Sequence, residues 1–252
     1  MPQDDPVWQE TQGEGDESIA RLDRLVLRVL LLCVILLVGL HLLVHNLPWA
    51  PQFAAPDSQV RLFFDLASEA NLWAWFNVAV LAAGGVMHLV AGLMARANGA
   101  GPTWPWLVSG MLLAGLSIDD LTSLHERLQP LGVHLGGGSG LTYAAWLIPG
   151  LFFAAVVIGA VATLAVRVPT RPRRLLPLGL ALLIGGAFLL ESAGNAVLEA
   201  VGPSTRYAVF LIAEEMAEAC GAVLLLAAAC AALRVAHVNG NLTLSYRSKS
   251  TG

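Results

Sequence analysis

Six times along this chain an apolar run of about 20 residues stops at a cluster of Gly, Pro or Arg, and no other feature restricts the fold as much. An α-helix rises 1.5 Å per residue, so each run matches a hydrocarbon layer about 30 Å thick. The runs are Arg24–Leu47, Asn71–Ala95, Trp104–Leu128, Thr142–Val166, Leu175–Ala200 and Tyr207–Leu233. The breakers between them read LPWAPQ, ANGAGP, QPLGVHLGGGSG, RVPTRPRR and VGPS. Charged residues make up 13% of the chain, against about 25% in soluble domains, and mean hydropathy is +0.68. The pattern predicts an all-α polytopic membrane bundle of about six transmembrane helices spanning residues 21–236. An acidic Gly/Pro/Gln-rich segment, 1–20, reads as a disordered tail without the basic start of a signal peptide. Residues 237–252 read as a short flexible tail.

Arg and Lys assign a direction to the spans, because they favour the cytoplasmic side. Arg21, Arg24, Arg28, Arg96, Arg167, Arg171, Arg173, Arg174, Arg234, Arg247 and Lys249 fall on one side. The opposite loops hold Arg61, Arg127 and Arg206. Both termini are therefore expected in the cytoplasm, with the protein multi-pass in the membrane. A net charge of −4 gives no reason to expect a nucleic-acid partner. Cys33, Cys220 and Cys230 lie in apolar runs without paired spacing and read as small buried side chains.

Direction turns sequence position into depth. Asp119 and Asp120 come out about 22–24 Å from the cytoplasmic end of the third span, Glu191 about 25 Å up the fifth, and Glu214, Glu215 and Glu218 about 24–30 Å up the sixth. The third span has fifteen uncharged residues, Trp104–Ile118, so it cannot cross without carrying its two Asp inward. A charge at depth costs about 2.5–3.5 kcal/mol, so these groups are expected to face the bundle interior and find partners. Glu69 and Glu126 fall nearer the outer interface.

Residues three, four or seven apart share a helix face. That spacing groups Asp119, Ser123 and Glu126; Glu191, Asn195 and Glu199; and Glu214, Glu215 and Glu218. His125 joins the first stripe only if the helix ends there. Carboxylates with His on facing helices suit a divalent metal, with zinc, iron, manganese and calcium all compatible. The expected ligand set is Asp119, Asp120, His125, Glu126, Glu191, Glu215 and Glu218, with Glu214 as a catalytic base. His41 and His45, four residues apart, read as outer-interface side chains, and His88 as a packing residue. Trp73, Trp75, Trp104 and Trp106 read as an interfacial belt. The pairs Gly84–Gly85 and Gly185–Gly186 read as close helix crossings.

Four stretches carry a resemblance: FFDLASEANLWAWFN (63–77), LSIDDLTSLHERL (116–128), GGAFLLES (185–192) and AEEMAEACG (213–221). In this order they resemble a family of uncharacterised bacterial multi-pass membrane proteins, with Asp120 standing where the family pattern has Glu. The resemblance implies the same topology and marks Asp65, Glu69, Asp119, Asp120, His125, Glu126, Glu191, Glu214, Glu215 and Glu218. A more distant likeness is to alkaline ceramidase and adiponectin-receptor type membrane hydrolases, which hold zinc within seven helices. Here the one HxxxH is His41–His45, in the first of six spans.

These readings lead to an outer-leaflet metal pocket, with hydrolysis or transfer on a lipid-linked substrate as its chemistry and membrane lipids as its surroundings. Two rivals use the same acids: a proton or cation transporter, and a scaffold in which they only lock the bundle together.

Overall fold

A computed structural model describes residues 7–46, 50–100, 103–238 and 241–247, with side chains described from residue 23 onward apart from residues 51, 237–238 and 241–242. The chain is all-helical apart from one terminal hairpin. The long helices are α1 (Val7–His45), α4 (Leu72–Ala97), α5 (Trp104–Thr122), α7 (Leu147–Ala165), α8 (Thr170–Ile184), α9 (Glu191–Val201) and α10 (Thr205–Ala232). Short helices α2 (Pro51–Ala54), α3 (Gln59–Phe64) and α6 (Gln129–His134) fill the connections. Among the described residues, four segments are long and apolar enough to cross a membrane: Asp23–His45, Leu72–Ala97, Leu147–Ala165 and Thr170–Val201. A fifth is added if α5 and the 79° bent piece after it form one broken span.

α10 is the axis of the bundle. It packs on α1, α4, α8 and α9, and its second half, rich in Ala, is almost wholly buried from Ala219 to Ala232. Small side chains are what allow several helices to approach one axis. Glycines mark the tightest crossings. A methyl group on Gly221 would lie 2.6 Å from the Leu183 amide nitrogen, and one on Gly110 2.9 Å from the Gly85 carbonyl oxygen. Of the two glycine pairs, Gly85 and Gly186 lie at such contacts, whereas Gly185 faces open space.

The terminal segment departs from the flexible tail expected over 237–252. Strands β1 (Leu233–Val238) and β2 (Asn241–Tyr246) pair antiparallel, Leu233 opposite Tyr246 and Val238 opposite Asn241. The sequence signal is Asn239–Gly240 between alternating segments, the commonest two-residue hairpin connection. Tyr246 seals the hairpin against the bundle: its amide donates to Asn98 Oδ1 at 2.9 Å, and its hydroxyl accepts from Trp106 Nε1 at 3.1 Å. At the same end Arg171 meets the buried Asp23 at 2.6 Å. At the other terminus, helix α1 begins at Val7, inside the segment read as a disordered tail. The remainder of that tail, residues 1–6, and residues 248–252 lie outside the described residues.

Two of the four belt tryptophans are not at an interface. Trp75 and Trp104 are exposed, but Trp73 is only 3% exposed and Trp106 only 1%. Each indole N–H is taken by a group inside the protein. Hydropathy treats every Trp alike, and only packing separates the two kinds.

Candidate functional site

Residues 65–77 form the structural spine of the polar region. α3 ends at Asp65, whose carbonyl accepts a hydrogen bond from Asn71 Nδ2, and Asn71 Oδ1 in turn caps α4 by accepting from the Ala74 amide at 3.0 Å. From this short stretch Asp65 reaches α1, Glu69 reaches Ser123, Trp73 reaches Glu215 on α10, and Asn77 lines a buried cavity.

The outermost cluster is His41, His45 and Asp65. Four-residue spacing stacks the two imidazoles on one face of α1, with ring centroids 4.0 Å apart. Asp65 approaches both, at 3.6 Å from His41 Nδ1 and 3.5 Å from His45 Nε2. His45 Nδ1 sits 2.8 Å from the His41 carbonyl oxygen, to which it must donate. That bond places a proton on Nδ1 and turns Nε2 toward Asp65. His41 Nδ1 accepts from the Leu66 amide at 3.2 Å. One donor atom from each of the three residues lies within 4.8 Å of the others, so the group could hold a metal ion. Two imidazoles and one carboxylate, with room for water or substrate, is the donor set of catalytic zinc and non-haem iron centres. His41 is buried and the other two side chains are partly buried, at the end of α1 that faces the short helices α2 and α3. The HxxxH spacing and the FDL stretch were both visible in the sequence. What could not be seen was that the chain returns at α3 to bring Asp65 between the two rings.

The second cluster holds the acids singled out from spacing. The stripe Asp119–Ser123–Glu126 does not form, because α5 stops at Thr122 and Ser123 takes a left-handed conformation at φ 46°. That break instead swings His125 back onto Asp119. The His125 amide donates to Asp119 Oδ1 at 2.7 Å, and its ring Nδ1 lies 3.0 Å from Oδ2. Ser123 donates to Glu69, and Glu126 is exposed on a single 3-10 turn.

Deeper in, the carboxylates are satisfied by neutral donors. Trp73 Nε1 donates to Glu215 at 2.6 Å, and Trp146 Nε1 to Glu191 at 3.0 Å, with Asn195 adding a longer bond. An indole N–H can donate without carrying charge, which suits a carboxyl group held away from water. Glu199 leaves the stripe shared with Glu191 and Asn195 to accept from the Gly140 amide. A π-helical turn, Gly185–Leu190, precedes Glu191. It presses Gly186 against α10 so closely that a methyl there would strike the Glu218 side chain and the Glu214 carbonyl.

The structure therefore gathers Glu214, Glu215 and Glu218 on α10 within the electrostatic reach of Glu191, with Asp120 acting on Glu215 and Glu218, while Asp120 itself faces His125, Asp119 and Glu69. His125 couples to it through Asp119 and Glu191. Glu126 stays outside at the surface. Among the described residues, the group of His, Cys, Asp or Glu donors that meet within 4.8 Å of one another is His41–His45–Asp65, not this acidic cluster. Glu214, expected to act as a base, sits with Glu191 and Glu215 rather than with the imidazole pair.

A family model described as "Domain of unknown function (DUF8692)" matches residues 27–233. No curated protein and no solved structure matches the chain. The match covers most of the sequence and all the elements just described except the hairpin and the start of α1. The chain belongs to the DUF8692 family.

Proposed function

We propose that this DUF8692 protein is a six-span protein of a bacterial cytoplasmic membrane, with both termini inside, that binds one divalent metal of the zinc or iron class at His41, His45 and Asp65. The observation that carries this reading is the 4.8 Å convergence of three donor atoms with the His45 tautomer already assigned by the His41 carbonyl. Metal-ligating imidazoles characteristically donate their second nitrogen in this way, which orients the ring and selects the coordinating lone pair. Loading the site through His41 Nδ1 exchanges the Leu66 amide bond for a metal bond.

The surroundings favour an amphiphilic substrate. α3 packs on α1, and beside the metal group Phe53, Val60, Leu62 and Phe63 are all exposed on α2 and α3. Short helices with exposed aromatic and aliphatic side chains lie naturally in the headgroup region. A metal there would lower the pKa of bound water toward neutrality. The chemistry we infer is hydrolysis or group transfer on a lipid-linked molecule whose apolar part rests on these helices. The excess of Arg on one set of loops supports the orientation that places the group at the outer face.

Elemental analysis of detergent-purified protein tests the assignment. About one metal per chain is expected, with loss of it in both His45→Ala and Asp65→Asn and retention in Glu126→Gln. Unchanged stoichiometry in the first two variants would overturn it.

A further inference from the structure

Inward of the metal group, α4, α5, α8 and α10 border a partly open cavity of about 20 Å³ lined by Asn77, Leu81, Asp120, Leu183, Glu218 and Ala222. That is room for about one water molecule or one bare ion. Its polar lining is peculiar. Asn77 is 7% exposed, and its Oδ1 is buried with no hydrogen-bond partner. Asp120 Oδ2 is likewise buried without a partner. Glu218 supplies a third oxygen-bearing side chain. Buried acceptors without a donor are rare, because each forfeits the hydration it had in the unfolded chain. Here two of them line one small space, beside a carboxyl group.

We propose that this cavity is a binding site for a dehydrated alkali-metal cation, Na⁺ or K⁺, held by Asn77 Oδ1, Asp120 and Glu218. An all-oxygen lining selects a hard cation and gives no nitrogen or sulfur ligand for zinc, copper or iron. The space leaves no room for the several waters that Mg²⁺ keeps, and Asn77, Asp120 and Glu218 offer at most five oxygens, short of the six to eight that Ca²⁺ takes and close to the small coordination number of Na⁺. A central cation satisfies all three at once. Leu81, Leu183 and Ala222 complete a wall that offers no competing donors. Because the ligands come from α4, α5 and α10, occupancy ties three helices together, and loss of the ion releases them. The site is independent of the metal group and stands or falls separately from it.

Thermal unfolding of the detergent-purified protein at constant ionic strength, in NaCl, KCl or choline chloride, tests the proposal. A cation that binds only the folded state raises Tm by several degrees once its concentration far exceeds Kd. The expected result is stabilisation by Na⁺ or K⁺ over choline, with the two arms showing which ion fits. The stabilisation should vanish in Asp120→Asn and in Asn77→Leu. The second change replaces an unpartnered amide by an apolar group of similar size and keeps the test open should the first variant fail to fold. Binding of ²²Na⁺ or ⁸⁶Rb⁺ to the same samples should follow the Tm response. Equal Tm in all three salts overturns the proposal. An alkali response of wild-type size in both variants overturns it as well.

Discussion

The His41–His45–Asp65 group and the Asn77–Asp120–Glu218 cavity are joined by one short stretch of chain, yet they are built on opposite principles. In the outer group both His45 nitrogens, His41 Nδ1 and both Asp65 oxygens face partners across 2.8–3.6 Å. Two of its three members come from one helix face, so its assembly is mostly local. The inner cavity draws its oxygens from three separate helices and leaves two of them without hydrogen bonds. A carboxylate near water can rely on imidazoles and solvent. One inside the bundle has only what neighbouring helices bring, and here they bring further acids and two indoles. The difference shows why the same residue type, Asp, has a settled environment at position 65 and an unsettled one at position 120.

That contrast can be broken most severely at Trp73. Trp73→Phe removes the indole N–H from Glu215 and leaves a buried carboxyl group without its donor, a loss of about 1–3 kcal/mol read as a lower Tm in detergent. The alkali-ion response should weaken while the outer metal stoichiometry holds. If the metal is lost too, the two sites are one unit and the contrast disappears. Asn71→Ala probes the connection between them. It uncaps α4 and frees the Asp65 carbonyl, with an expected cost of about 1 kcal/mol, and it should weaken both metal binding and the alkali-ion response. A change confined to one of the two would show that the spine does not couple them. The smallest effect belongs to Tyr246→Phe at the far end. Losing the Trp106–Tyr246 bond should cost about 0.5–1.5 kcal/mol and leave both ion sites unchanged. Metal or alkali-ion binding altered by that substitution would show that the hairpin reaches further than its contacts indicate.

The acids were legible in the sequence as a set, because ionisable residues inside apolar runs stand out and helical rise converts position to depth. Asp120, Glu191, Glu214, Glu215 and Glu218 do share a neighbourhood. Their partners were not legible. Trp73 and Trp146 look like interface residues to any hydropathy scale, and Asn77 looks like an isolated amide. The stripe through Ser123 and Glu126 assumed that α5 continues, but the chain breaks at a left-handed serine that no strong signal such as Gly or Pro announces. Asp65 was marked only through family resemblance, since its imidazole partners precede it by a loop and two short helices.

Run length, breaker placement and the distribution of Arg dictate helices of spanning length, their order and their expected direction without help from packing, because hydrocarbon thickness and backbone hydrogen bonding leave a greasy chain few alternatives. Which side chains meet is another matter. The rotation of each helix about its own axis, the close crossings at Gly85, Gly186 and Gly221, and the bend after Thr122 are set by contacts between distant segments. A rotation of one residue, about 100°, would turn Asp120 or Asn77 from the cavity to the lipid. Packing against α10 therefore decided where this protein's chemistry lies.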